Sequence, residues 1–105
     1  MSNEQLEVGI MNTFRGHYSI IPAHTQAMLM NWYVYGIRGG DFLDAVLCGD
    51  LFAAYGRADD DNVNAMKAIV SWVYNILPLG ARTGPSFADK MNMADRLNAW
   101  KGTAE

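Results

Sequence analysis

Asp50 is the side chain most out of place for its setting. On a helical wheel it shares a side with Leu43, Val46, Leu47 and Ala54, and an ionised carboxylate on such a side is costly unless it is paired and hydrogen-bonded. Two roles fit that need. Asp50 either receives a ligand or anchors an arginine of a site, or it serves a structural partner such as an arginine, a tryptophan N–H or the free amides of a helix start. The two histidines, His17 and His24, have no common zinc spacing, and Cys48 is the lone cysteine, so no metal site is expected. His24 sits in a predicted first helical turn. There it could act as a base with Asp50 or bind an anion with the helix amides, though satisfying a local backbone group is the role expected first. Gly16-His17-Tyr18 places two flat rings with polar tips together, suited to stacking a base, and Arg57 could take a phosphate. A loop packed on the protein's own body would look the same.

The remaining motifs fall away on inspection. Asp60, Asn62 and Asn64 alternate as calcium ligands do, but Ala65 stands where the loop needs glycine and Ser71 where it needs its terminal carboxylate. Gly39-Gly40 lies in neither a phosphate-binding loop nor a dinucleotide fingerprint. Ser19, Ser71 and Ser86 occupy no nucleophile elbow. Nothing assembles a nucleophile, a base and an orienting group, and no cofactor is expected.

Composition narrows the classes further. Eight Lys and Arg, scattered singly, face eleven Asp and Glu, for a formal charge of −3. Without a basic patch, direct nucleic-acid binding is not expected. The amino-terminal M-S-N-E-Q-L-E is polar and acidic, unlike a secretory signal. The longest apolar run, Ala27 to Tyr35, is interrupted by Asn31 and too short to span a bilayer. A cytoplasmic, non-membrane protein is the expectation, and one cysteine fits a reducing compartment.

These residues would be positioned by helices. The 105-residue chain reads as an all-α, compact bundle of four main helices, residues 17–105, preceded by a leader, residues 1–16, with a short helix around Glu4 to Met11. Helix A runs from Pro22 to Tyr35 and stops at Gly36. Helix B is capped by Asp41 and ends at Gly56. Helix C starts in the run Asp59 to Asn62 and reaches Leu77 before Pro78. Helix D starts around Pro85-Ser86 and fades near Lys101-Gly102. Helix C has a clean apolar stripe of Met66, Ile69, Val70, Val73, Tyr74 and Leu77.

Helix A differs. Its polar residues Thr25, Gln26 and Asn31 scatter around the wheel, and Met, Trp, Tyr, Leu and Val fill the other directions. A helix apolar all round must be covered all round. The cover is either the rest of the bundle or another protein. Trp, Tyr and Met are enriched at interfaces, and the expectation here is partial cover by a host protein or a second copy. That interface would comprise Trp32, Tyr33, Tyr35 and Tyr55, with Arg38 at its rim.

A resemblance adds a setting. I-P-A-H-T at Ile21 to Thr25, G-G-D-F-L-D-A-V-L at Gly39 to Leu47 and G-D-L-F-A-A at Gly49 to Ala54 are its main carriers. With R-A-D at Arg57 to Asp59, Asn62, and V-Y-N at Val73 to Asn75, they make the segment from Ile20 to Trp100 resemble a family of small helical proteins of tailed bacteriophages and prophages. The chain departs from that pattern at Leu79 to Gly84, where a short Trp-Gly-Ser turn is expected, and in the leader before Gly16. The resemblance implies a phage accessory protein, of the kind that inhibits host machinery or host defence as anti-CRISPR proteins do; it transfers no catalytic residue. Three functions follow in order. The first is a non-enzymatic inhibitor that binds a host protein. The second is a sequestering protein for a signalling nucleotide, held by His17, Tyr18, His24, Asp50 and Arg57. The third is a small enzyme using Asp50 and His24.

Overall fold

Ser2 starts the first helix with a reciprocal cap. Its hydroxyl accepts the Gln5 amide at 3.2 Å, and the Gln5 side chain accepts the Ser2 amide at 2.8 Å, satisfying two donors that a helix start leaves free. In the computed structural model, which describes residues 2–82 and 97–104, α1 spans Asn3–Asn12. Ile10 and Phe14 are buried, and the Phe14 ring stacks on Trp72 with centroids 5.0 Å apart. The predicted leader thus supplies two core side chains. The β-branched stretch after Gly16 winds into a 3₁₀ turn over Gly16–Ile20.

The second helix, α2, covers Ala23–Tyr35 and ends at Gly36, whose φ of 69° is left-handed, close to the predicted bounds. Predicted helix B divides into α3 (Asp41–Cys48) and α4 (Leu51–Arg57). Gly49 takes φ 75°, the Asp50 amide reaches back to the Ala45 carbonyl at 2.9 Å, and the Gly49 amide bonds Val46 at 3.1 Å. That pair of bonds is a Schellman ending. Predicted helix C divides likewise into α5 (Asp60–Asn64) and α6 (Met66–Asn75), with the break at Ala65. α5 is tied inward by a buried bond in which the Thr25 hydroxyl donates to Asn62 Oδ1 at 2.6 Å. A 3₁₀ turn follows at Leu79–Ala81. Most of predicted helix D lies outside the described residues; residues 97–99 are helical, with Leu97 buried. The described residues contain helices and turns but no strand. The radius of gyration is 13.0 Å, near the ~13 Å of a folded chain this long.

Trp32 of α2 lies at the centre of the core, and this corrects the sequence expectation that Trp32 belongs to an interface. Trp32 is fully buried, together with Thr25, Leu29 and Val34. Its indole N–H donates to the Ala81 carbonyl at 2.8 Å. Tyr33 packs edge-on against Trp72, and the Tyr35 hydroxyl donates to Glu7 on α1. The last described residues complete the enclosure. The Trp100 indole donates to the Trp32 carbonyl at 2.7 Å, and the Thr103 and Ala104 amides bond the Tyr33 and Val34 carbonyls at 3.1 and 2.7 Å. Free carbonyls at a helix end need such donors. Met28, Met30, Tyr33 and Tyr35 are partly buried against this core, so much of the apolar surface of α2 is covered by its own chain.

The Tyr35–Glu7 contact makes one stability component depend on pH. The hydrogen bond to Glu7, then burial, then the charges of Glu7 and Glu4 raise the Tyr35 phenol above its ordinary 10.0. A raised pKa means the folded state holds the proton more tightly than the unfolded one. The tie is therefore complete below pH 10 and is lost as the pH climbs through the raised value. Thermal melts of the native chain and of Tyr35→Phe are expected to differ by a constant gap up to pH 10, with the gap closing above it. A gap that stays open at higher pH would contradict this tie.

Candidate protein-binding groove

Capping decides where α4 lies. Asp50 stands just outside it, and its carboxylate accepts the Ala53 amide at 3.0 Å. Asp50 is therefore not a misfit inside a helix. The Schellman ending at Gly49 takes it out of the register it would hold in a continuous helix, and of its two sequence-stated roles the structure displays service to a helix start. Asp50→Ala is expected to cost about 1 kcal/mol and Asp50→Asn only a few tenths, because asparagine caps equally well. Chemical denaturation of the two variants checks this; equal losses would mean that the charge itself matters.

Freed from α3, the seven-residue α4 buries only Ala54. Leu51 is 62% exposed, Phe52 89% and Tyr55 47%; across from them on α6, Val70 is 50% and Tyr74 70% exposed. The apolar stripe of α6 is wider than the core it faces. Met66, Ile69 and Val73 go inward, and Val70 and Tyr74 are left at the edge. Two adjacent depressions lie along α6, the first between it, α3 and α4, the second between it and α3. One, of about 350 Å³, is lined by Leu51, Tyr55, Lys67 and Val70 among others. Its neighbour, of about 240 Å³, is lined by Val73, Tyr74 and Arg82. Val46, Gly49 and Val70 border both. Together the two adjacent depressions make an apolar groove along α6.

Of the five predicted interface residues, Tyr55 alone lines this groove. Trp32, Tyr33 and Tyr35 are held in or against the core as described. Arg38 makes a two-pronged contact with Asp44, at 2.6 and 3.2 Å, and reaches Asn98 at 2.8 Å; the bond to Asp44 raises its already high pKa. It fastens the start of α3 to the C-terminal segment. Leu51, Phe52, Val70, Tyr74 and Arg82 were not picked out from the sequence as contact residues. The signal was the Gly49-Asp50 pair: read as a stop and a cap, it turns Leu51, Phe52 and Tyr55 outward around a small Ala54.

The five residues of the ligand alternative are distributed over three places. His17 lines a depression of about 290 Å³ with Lys67 and Ser71. It stands edge-on to Tyr18, with centroids 4.6 Å apart at 87°, and the Tyr18 hydroxyl shares a hydrogen bond with Ser71 at 3.2 Å. His24 and Arg57 line another depression, of about 250 Å³, where His24 Nε2 lies 3.6 Å from Asp59 Oδ2. Asp59 also caps α5 through the Asn62 amide at 2.8 Å. Asp50 borders the groove. His24 thus meets Asp59, and the expected acid–base partner, Asp50, lines a different depression. Buried Cys48 donates to the Ala45 carbonyl at 3.4 Å. Among the described residues, no three His, Cys, Asp or Glu side chains gather as metal ligands, and no helix is long and apolar enough to cross a membrane.

Comparison of the chain with protein-family models, curated proteins and solved structures finds no match.

Proposed function

We propose that the protein is a non-enzymatic binding module that holds another protein in the groove between α4 and α6. The observation that carries this reading is the exposure of Leu51, Tyr55, Val70 and Tyr74 along the groove, with Phe52, next to Leu51 on α4, exposed as well. At about 150–250 Å² per aromatic side chain, the exposed fractions of Phe52, Tyr74 and Tyr55 alone leave on the order of 300–500 Å² of ring surface in water. That approaches the ~300–600 Å² of the largest patch on an ordinary monomer, a patch that is itself often functional. Leu51 and Val70 add to it. In the phage setting implied by the sequence resemblance, the partner is a cytoplasmic host protein, and binding inhibits it or the host's anti-phage defence.

The nucleotide-sequestering alternative has less support, since its five residues are spread over three separate places. The enzyme alternative has none from the geometry of Asp50 and His24.

Phe52 provides the test. A side chain this exposed is expected to change stability by less than about 0.5 kcal/mol on substitution, whereas an interface hot spot is worth about 2 kcal/mol or more, roughly 30-fold in affinity. Bait made from the native chain and from Phe52→Asp is incubated with bacterial cytosolic extract at micromolar concentration. A partner retained by the first and lost by the second, with unchanged melting, is the expected result. A partner held equally by both would overturn the assignment of the groove, and a thermal shift with cyclic nucleotides but no protein partner would favour the ligand alternative.

A further inference from the structure

The walls of the groove and its two ends differ chemically. Leu51 and Tyr55 stand one turn apart on α4, and Val70 and Tyr74 do the same on α6. Residues four apart share a helix face, so each wall offers an apolar pair at helical spacing. A third helix laid between them can meet both pairs with its own side chains at that spacing. An extended peptide finds no sheet edge to join among the described residues.

The ends carry cations. Lys67 lines the part beside Leu51 and Tyr55, and Arg82 the part beside Tyr74. Neither forms an ion pair with a described acid. The Arg82 guanidinium carbon lies 5.3 Å from the Tyr74 ring centroid, and its Nε is buried without a hydrogen-bond acceptor among the described residues. Asp50, the carboxylate bordering the groove, is engaged with the Ala53 amide. The lining of the groove thus carries two cations, Lys67 and Arg82, and one carboxylate, Asp50 beside Lys67, a net positive charge in a chain whose net charge is −3. A second copy suits it poorly. A two-fold axis through the shared middle would set one net positive lining against another, with Lys67 and Asp50 of each copy facing Arg82 of the other.

We infer that the groove takes an amphipathic helix of another protein whose apolar stripe is flanked by Glu or Asp side chains, which pair with Lys67 and Arg82. This rests on the protein-binding reading above and adds the partner's chemistry. Two synthetic helical peptides with the same leucine stripe, one flanked by glutamates and one by lysines, are titrated against the full chain by fluorescence anisotropy. The acidic peptide is expected to bind about 10-fold tighter at low salt, with the preference shrinking in 0.5 M salt. Lys67→Glu combined with Arg82→Glu is expected to reverse the preference. Lys67→Glu alone, at an exposed position, is expected to reduce it several-fold, which keeps the test available should the double variant fail to fold.

Equal binding of both peptides, abolished by Val70→Asp, would overturn the acidic partner and leave the protein-binding reading standing. Binding of neither peptide, while a Phe52-dependent partner is still captured, would do the same. Absence of both peptide binding and a Phe52-dependent partner would remove both. A native mass of two copies that falls to one in Val70→Asp would put a second copy in the groove and overturn both.

Discussion

Trp32→Ala is expected to destabilise the protein by about 3–5 kcal/mol, the range for removing a large aromatic from a packed core. Trp32 has no exposed surface, and its N–H serves the Ala81 carbonyl, so the substitution leaves both a cavity and an acceptor without its donor. Against a total stability of about 5–15 kcal/mol for a domain of this size, that loss takes a third or more of what holds the fold. Trp32→Phe, which keeps most of the apolar volume, is expected to fall between. Denaturant titration of the three proteins is the measurement. The result also separates two accounts of the aromatic residues. If α2 were an interface helix, Trp32→Ala would reduce partner binding with little change in the midpoint of unfolding. As a core residue it does the reverse, and Phe52→Asp shows the opposite pattern. A Trp32→Ala protein as stable as the native chain would return α2 to the surface and undo the groove's claim to be the main apolar patch.

The helices were legible where the chain is punctuated by residues with one strong local preference. Gly36 ends α2 because its left-handed φ of 69° suits glycine, and the acids at Asp59 to Asp61 start α5 because they meet free amides and the positive end of the helix dipole. Gly49-Asp50 was punctuation of the same kind, but the apolar rhythm continues across it: a wheel drawn through both helices keeps Leu43, Leu47 and Ala54 on one side. Rhythm therefore outweighed the cap, and Asp50 looked like a buried charge.

The error on α2 has a different origin. A wheel reports that Trp32, Tyr33 and Tyr35 need cover, but not who provides it. The cover comes from Glu7 and Ala81 and from Trp100 to Ala104, far away in sequence, and the last of these, W-K-G-T-A, has no pattern that announces a contact. Burial is a property of the whole fold. The edge residues Val70 and Tyr74 show the converse: they belong to a clean stripe, yet the core is narrower than the stripe.

The C-terminal clamp supplies the second large effect, at Gly102. Its φ of +81° lies in the left-handed region, and a Cβ added there would press on the backbone of α2, with the Val34 carbonyl carbon 2.5 Å away and the Tyr35 nitrogen 2.6 Å away. The obstacle is main chain, which cannot rotate aside. Gly102→Ala therefore combines the left-handed strain, about 1–3 kcal/mol, with displacement of the Thr103 and Ala104 bonds to Tyr33 and Val34, about 1 kcal/mol each. A loss of about 3–5 kcal/mol is expected, on the order of 12–40 °C in melting temperature for a domain of this size. Gly80→Ala is the control. Among the described residues its added Cβ would meet only the Trp100 ring, at 3.7 Å, an ordinary contact, and a change within about 0.5 kcal/mol is expected. If Gly102→Ala melts within a few degrees of the native chain, the segment is not closely seated on α2 and Trp32 must owe its burial to the other helices. If it melts far lower yet still captures the Phe52-dependent partner at a temperature where it stays folded, the clamp and the groove are separate devices, one holding the core closed and the other left open for binding.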